Sequence, residues 1–206
     1  MKENFKVTGF FYESHGMSFR KYLDVKRIGV LSESPDLVSV MMNPGSSKPV
    51  SGDFDGRCDA ETIPDATQVQ IMKLMDKSAL NWVRIFNLSD LIEPKSTILL
   101  EKIQEMEKER IPHSIFTRKQ DDIAEFIPYS IPVLFAWGVD KRLESLAIQA
   151  CEQLSKHKII GLQKEGFPYA YYHPLPQNWG KQLEWLEKIS LNIKTWAQAS
   201  SQASVS

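Results

Sequence analysis

Residues 37–45, LVSVMMNPG, determine the fold class that we predict for this chain. The segment begins with a short and almost unbroken apolar run, which is typical of a strand buried on both faces of a parallel sheet. Asn43, Pro44 and Gly45 end it, because proline cannot donate to the ladder of a central strand. Helices are therefore expected on both sides of this strand.

Similar runs recur along the chain and alternate with segments of helical periodicity. Further strands are predicted at 81–88 (NWVRIFNL), 131–138 (IPVLFAWG) and 157–163 (HKIIGLQ), with a short extended piece at 166–176. Helices are predicted at 66–79 with Asp65 as cap, 96–110, 118–127, 141–156 and 179–199. This alternation predicts a three-layer α/β sandwich around a mostly parallel sheet.

The two ends of the chain differ from this pattern. Residues 5–12 and 18–25 are rich in aromatic and β-branched residues and flank a Ser-His-Gly turn, which predicts an antiparallel hairpin at a sheet edge. The last residues, 198–206, are polar, and we expect them to form a disordered tail. Residues 1–197 would then form a single domain.

The composition argues against several classes of protein. A net charge of −1 lacks the basic excess of a protein that coats nucleic acid. The chain contains neither a signal-peptide pattern nor an apolar run of about 20 residues, so a cytoplasmic location away from membranes is expected. Cys58 and Cys151 are isolated in sequence and predict free thiols. Nothing in the sequence determines an oligomeric state.

The polar stretch 46–64 is long for a loop in a small domain, and such loops are usually functional or mobile. It contains Asp53, Asp55 and Asp59, but the spacing of a calcium loop is incomplete, since the closing glutamate is missing. P-loop, GxGxxG and GxSxG sequences are also missing. We therefore predict neither a metal nor a cofactor.

Four positions at the ends of predicted strands are candidates for a site. These positions are Asn43, Asn87, the pair Trp137 and Gly138, and His173. Each has a structural alternative: a turn at Asn43, a helix cap at Asn87, packing at Trp137 and a structural role for His173. Ligands of open α/β sheets bind beyond the carboxyl ends of the strands, so the group together predicts a site. Amides can hydrogen-bond to the edge of a nucleobase, and an imidazole can stabilise an anion or transfer a proton.

Four segments in this order resemble the motifs of the uracil-DNA glycosylase superfamily: MMNPGSS, WVRIFNL, VLFAWG and YYHPLP. The resemblance implies that Asn43 positions the hydrolytic water, Asn87 recognises a flipped base and His173 stabilises the leaving base anion. It further implies that the backbone around the base and a phosphate is shaped by Gly45, Ser46 and Pro174. Candidates for stacking on the base or contacting it are Phe86, Trp137, Gly138, Tyr171 and Tyr172.

Most of the chain also resembles a bacterial and phage family known as a domain of unknown function (number sixteen forty-three), which supports the fold. Two features differ from the glycosylase pattern. Leu175 occupies the place of the usual serine in the second motif, and a long charged helix lies between Asn87 and Trp137.

The resulting hypothesis is an N-glycosidic hydrolase that acts on a nucleobase in DNA or in a nucleotide, with a role such as DNA repair. One alternative is a non-catalytic module that binds a nucleotide or nucleic acid in the same pocket. Another is an interaction protein that uses the charged helix near residues 98–110, although charge runs of this kind are usually solvated faces.

Overall fold

Seven strands form one mixed sheet in the computed structural model of the chain, which describes residues 2–46, 48–51, 56, 59–118 and 121–203. The strands are β1 (Phe5–Ser14), β2 (Met17–Arg27), β3 (Leu37–Met41), β4 (Asp59–Glu61), β5 (Trp82–Asn87), β6 (Val133–Phe135) and β7 (Ile159–Ile160). Their order across the sheet is β4-β1-β2-β5-β3-β6-β7.

The helices lie close to the predicted positions. They are α1 (Ala66–Ser78), α2 (Ser96–Lys108), α3 (Asp121–Phe126), α4 (Glu144–Gln153) and α5 (Trp179–Ala203), with short 3-10 turns at Lys2–Asn4, Ile115–Thr117 and Lys141–Leu143. The α/β class is confirmed. The structure differs from the prediction at the C-terminus: residues 198–203 continue α5 instead of forming a tail, and 204–206 lie outside the described residues.

The centre of the sheet is parallel. β3 pairs in parallel with both β5 and β6, and β6 pairs in parallel with β7. The predicted hairpin of β1 and β2 is present, but it extends the sheet in the antiparallel sense because β2 pairs with β5 and β1 pairs with the short β4. The prediction of parallel pairing therefore holds for four neighbouring strands, β5, β3, β6 and β7.

Two separate hydrophobic cores cover the two faces of the sheet. In β3, Leu37 and Met41 face one core with the apolar side chains of α1 and α5, which we call the α1 face. Val38 and Val40 face the other core together with side chains of α2, α3 and α4. All five residues of β3 are buried, as the sequence predicted. Helices, sheet and helices therefore form three layers.

The chain order places a switch point beside β3. The chain leaves β3 for its neighbour β5 on one side and later returns to β6 on the other side. The connection from β3 leads through β4 and α1 to β5 on one side, and the connection from β6 leads through α4 to β7 on the other side. Ligands of open α/β sheets bind in the crevice at such a point. In the described residues, no helix is both long and apolar enough to span a bilayer.

Candidate functional site

A cavity at the carboxyl end of β3 brings Asn43 and His173 together. It has a volume of about 190 Å³ and lies between the sheet and the start of α1; we call it the Asn43 cavity. The residues that line it are Arg20, Met41, Asn43, Pro44, Gly45, Asp65, Thr67, Gln68, Ile85 and His173. Two residues 130 positions apart in the chain thus share one small space, as the rule for strand ends predicted.

A hydrogen bond to the loop after β5 anchors the Asn43 side chain. Its Nδ2 donates to the backbone carbonyl of Glu93 at 2.7 Å, in the loop that follows β5. This bond orients the amide and leaves Oδ1 as its acceptor atom. Gly45 completes the turn with a φ of +65°, a conformation that side chains rarely adopt. The turn that the sequence predicted is therefore also part of the cavity wall.

Asn87 ends β5 opposite Met41 and is fully buried. Side chains alternate along a strand, so Asn87 points to the same α1 face as Ile85. Neither Nδ2 nor Oδ1 of Asn87 has a hydrogen-bond partner in the described part of the chain. An orphaned buried polar group costs about 1–3 kcal/mol, and this cost is recovered when a ligand pairs with it. The side chain of Asn87 therefore does not form the helix-capping hydrogen bond that was considered for it, within the described residues.

His173 has a defined proton arrangement. Its Nδ1 accepts a hydrogen bond from the backbone N–H of Leu175 at 3.1 Å, so a neutral ring carries its proton on Nε2. Burial lowers the pKa of His173, whereas the Leu175 contact and the charge of Asp65 oppose that shift. The ring is therefore neutral at neutral pH and offers an Nε2–H donor.

The backbone before His173 is held by Gly138. The N–H of Gly138 donates to the carbonyl of Tyr171 at 2.8 Å, and the N–H of Tyr171 donates back at 3.3 Å. Gly138 has a φ of +108°, which favours glycine at this position. Gly138 thus lies away from the Asn43 cavity and fixes the segment that carries His173.

Asn87 and the other predicted contact residues are not among the residues that line the Asn43 cavity. Trp137 is buried in the core of the opposite face, where its Nε1 donates to the carbonyl of Tyr169 at 2.8 Å. Phe86 and Tyr171 pack in or against that same core. Ser46 is exposed in the turn after Gly45, and Pro174 is buried. Trp137 and Phe86 therefore cannot stack on a ligand in the Asn43 cavity.

Tyr172 belongs to a second and larger cavity of about 410 Å³, next to α5, which we call the α5 cavity. Its lining includes Tyr172, His173, Trp185 and the two lysines Lys181 and Lys188. His173 lines both cavities and so stands at their boundary. Glu184 also lines the α5 cavity and pairs with Lys188 at 2.6 Å.

Arg20 is a site residue that the sequence analysis missed. Phe10 pairs with Tyr22 while Phe11 pairs with Arg20, so β2 contains one residue more than β1 and forms a bulge. The bulge places Arg20 on the α1 face, whereas Phe19 lies in the opposite core. Alternation along the strand gives no sign of this change, because only the pairing with β1 reveals it.

A buried polar layer lies next to Arg20. The backbone N–H of Arg20 donates to the carbonyl of Asp90 at 2.8 Å, and the Tyr12 hydroxyl donates to Asp90 Oδ2 at 3.2 Å. Burial raises the pKa of Asp90 well above its ordinary value. Burial likewise lowers the pKa of His113 to about 4, and its Nδ1 lies 3.1 Å from the Ser89 hydroxyl. Hydrogen bonds of Asp90 therefore connect β2, through Arg20, to the segment that contains His113.

The acidic loop is described only in part. Asp53 and Asp55 lie outside the described residues, and Asp59 accepts a hydrogen bond from the Tyr22 hydroxyl at 2.9 Å. Among the residues that the structure describes, no cluster of three or more His, Cys, Asp or Glu side chains could hold a metal ion. Cys151 carries a free thiol, and Cys58 lies outside the described residues.

The charged helix α2 does not cover the Asn43 cavity. Its buried side chains Leu99, Leu100, Ile103 and Met106 belong to the core opposite the α1 face.

Comparison of the chain with protein-family models, curated proteins and solved structures finds no match. Function is therefore inferred from the site itself.

Proposed function

We propose that the Asn43 cavity binds a nucleobase and that the protein hydrolyses an N-glycosidic bond in DNA or in a nucleotide, in the manner of the uracil-DNA glycosylases. The observation that carries this proposal is the meeting of Asn43 and His173 in one cavity, beside the fully buried amide of Asn87, which has no partner among the described residues. An amide that offers one donor and one acceptor complements the edge of a base.

Asn87 would hold the base, since both of its polar atoms require partners. His173 would stabilise the leaving group: its Nε2–H donates to a base oxygen as the bond to the sugar breaks and negative charge develops on the base. A neutral ring suits this role because its Nε2–H can donate a hydrogen bond to the base anion while the ring keeps its proton. The pKa of His173, lowered by burial, keeps it in that state.

Asn43 would orient the water. Its Nδ2 is held by the Glu93 carbonyl, and its Oδ1 can accept a hydrogen bond from a water molecule. The water oxygen would add to the sugar carbon as the base leaves with the bonding electron pair. The water then loses one proton to solvent and the base anion takes one up, so the step balances. An amide does not act as a base here, and the electrophilic sugar carbon does not require one.

The test is a single-turnover assay of base release at high enzyme excess. Substrates are single- and double-stranded oligonucleotides that carry uracil, hypoxanthine or a mismatch. We expect release by the wild-type chain and loss of about 100-fold or more in His173→Ala, the lower range for a general acid or anion-stabilising group. Asn43→Ala should be similarly impaired.

His15→Ala is the matched control, since His15 is exposed in the hairpin turn and this variant should release base at the wild-type rate. Full activity in both Asn43→Ala and His173→Ala would rule out the catalytic roles of these two residues.

A binding module without catalysis is the second candidate. The net charge of −1 and the presence of Leu175 in place of the serine of the glycosylase motif favour it. Saturable binding of a nucleoside that depends on Asn87, with no release of base from any substrate, would select this alternative.

A further inference from the structure

Arg20 places a guanidinium group in the interior, and two of its nitrogens lack hydrogen-bond partners among the described residues. The residue is 3% exposed and lines the Asn43 cavity. Neither Nε nor Nη1 has a hydrogen-bond partner in the described residues. A guanidinium has five donors and no acceptor, so only an acceptor can satisfy these atoms.

The nearby carboxyl groups do not satisfy them. Nε and Nη1 of Arg20 have no hydrogen bond to Asp65 or Asp90, whose side chains accept from the backbone N–H of Gln68 and from the Tyr12 hydroxyl, and Asp90 Oδ1 is itself buried without a partner among the described residues. Burial lowers the pKa of Arg20 to about 10, while the charges of Asp65 and Asp90 oppose that shift. The side chain is therefore still charged at neutral pH. An unpaired charge in the interior is strongly unfavourable, so a protein keeps one where a ligand or a partner completes it.

The surroundings favour an anion. Thr67 and Gln68, in the first turn of α1, line the same cavity, and a helix of 13 residues presents a positive dipole end there. Asp65, which caps that helix, opposes an anion from the rim. The cavity thus combines a full buried cation with one exposed carboxylate.

We propose that Arg20 is a ligand-binding residue and that the group it binds is a phosphate. This inference rests on the proposed function in one respect, because the substrate would then be a nucleotide or a nucleotide unit whose base reaches Asn87. Arg20 lines the Asn43 cavity together with Met41, and Met41 pairs with Asn87 across the neighbouring strands β3 and β5. The phosphate would contribute affinity, and the base would contribute specificity.

Isothermal titration calorimetry with inorganic phosphate, uridine and uridine 5′-monophosphate tests this proposal. The wild-type chain should bind phosphate saturably and should bind the monophosphate more tightly than uridine. Arg20→Met should weaken binding of phosphate and monophosphate by about tenfold or more, the equivalent of one charged hydrogen bond, and should leave uridine binding unchanged.

Two further variants sharpen the test. Asp65→Asn keeps a good capping residue but removes the opposing charge, so phosphate should bind more tightly. Asn87→Leu should lose uridine binding and keep phosphate binding.

Stability separates a ligand-binding role from a structural one. Because the Nε and Nη1 atoms of Arg20 have no partner to lose among the described residues, the melting temperature of Arg20→Met should equal or exceed that of the wild-type chain. A structural role predicts a clear decrease in melting temperature with unchanged phosphate affinity of the folded variant, and that combination would overturn the inference.

Arg20→Lys decides the question if Arg20→Met fails to fold. This variant keeps the charge with fewer donors, so its affinity for phosphate should be lower than that of the wild-type chain and should exceed that of any folded neutral variant. Phosphate affinity equal to that of the wild-type chain would show that the guanidinium is not the phosphate ligand.

The two proposals fail in different ways. Arg20-dependent binding of phosphate without any binding of uridine or release of base would keep this inference and reject the proposed function. Asn87-dependent binding of uridine or release of base, with no binding of phosphate or with equal binding in Arg20→Met, would reject this inference and keep the proposed function.

Discussion

Four buried atoms that lack partners among the described residues belong to Arg20 and Asn87, which lie on neighbouring strands on the α1 face of the sheet. Each such atom costs about 1–3 kcal/mol when it stays unpaired. Met41 and Ile85, which lie on the same face, are apolar and leave these atoms unpaired. The placement of two polar side chains at this point is therefore better explained by a ligand than by stability.

His113 should make stability depend on pH. Burial lowers its pKa to about 4, from an ordinary value of 6.5. As the pH falls below 6.5, the unfolded chain takes up a proton that the folded chain excludes, so the free energy of unfolding decreases. The loss approaches about 3 kcal/mol as the pH falls to that of the folded-state pKa.

Urea denaturation at pH 7 and pH 4.5 measures this loss in wild type and in His113→Gln. The decrease between the two pH values should be smaller in the variant by about 2–3 kcal/mol. The raised pKa of Asp90 acts in the opposite direction, but it is common to both proteins and cancels in the comparison. An equal decrease in both would contradict the assignment to His113.

Helix α1 begins with a capping box formed by Asp65 and Gln68. Asp65 Oδ1 accepts from the backbone N–H of Gln68 at 2.9 Å, and Gln68 Oε1 accepts from the N–H of Asp65 at 2.9 Å. Both residues also line the Asn43 cavity. The cap thus fixes where the helix starts and holds one wall of the site.

Asp65→Ala should lower the free energy of unfolding by about 1 kcal/mol, the usual cost of losing an N-cap. Asp76→Ala, near the other end of α1, is the control. Asp76 pairs with Arg27 at 2.9 Å in an exposed ion pair, and such pairs contribute little, so a change within about 0.5 kcal/mol is expected. Chemical denaturation of the two variants checks this, and equal losses would show that the cap has no special weight.

The whole molecule has two cores that share one sheet. Trp137 lies in the core of α2, α3 and α4, whereas Trp185 of α5 lies in the core on the α1 face. All five residues of β3 are buried, and its apolar side chains belong to the two cores. Unfolding of either core would therefore expose one face of this strand to solvent.

We therefore expect a single cooperative unfolding transition. With Trp82, Trp179 and Trp196 replaced by Phe, Trp137→Phe leaves Trp185 as the fluorescent tryptophan and Trp185→Phe leaves Trp137. The fluorescence of each protein should change at the same denaturant concentration as its far-ultraviolet circular dichroism. Midpoints that separate between fluorescence and circular dichroism in either variant would show that one face unfolds independently.

Sequence-based predictions succeeded where a feature depends on residues close together in the chain, and they failed where it depends on packing between distant segments. The strand at β3, the helix after Asp65 and the hairpin were predicted because apolar periodicity and capping are local properties. In α5, Leu183, Leu186, Ile189 and Ile193 stand at helical spacing in the sequence, but Leu183 is 40% exposed in the structure and Trp185 is buried instead. Several neighbouring registers satisfy helical spacing, and only packing against α1 selects one.

Local sequence was sufficient to establish the α/β class, the strands of the parallel centre and the position of Asn43 at a strand end, because each depends on residues close together in the chain. Only the folded chain shows that Asn43 and His173 share one cavity, that Trp137 lies in the opposite core and that Arg20 turns toward the α1 face. These depend on strand pairing, on a bulge and on contacts between distant segments. Local periodicity carries no information about such pairings, since a shift of one residue exchanges the two faces of a strand.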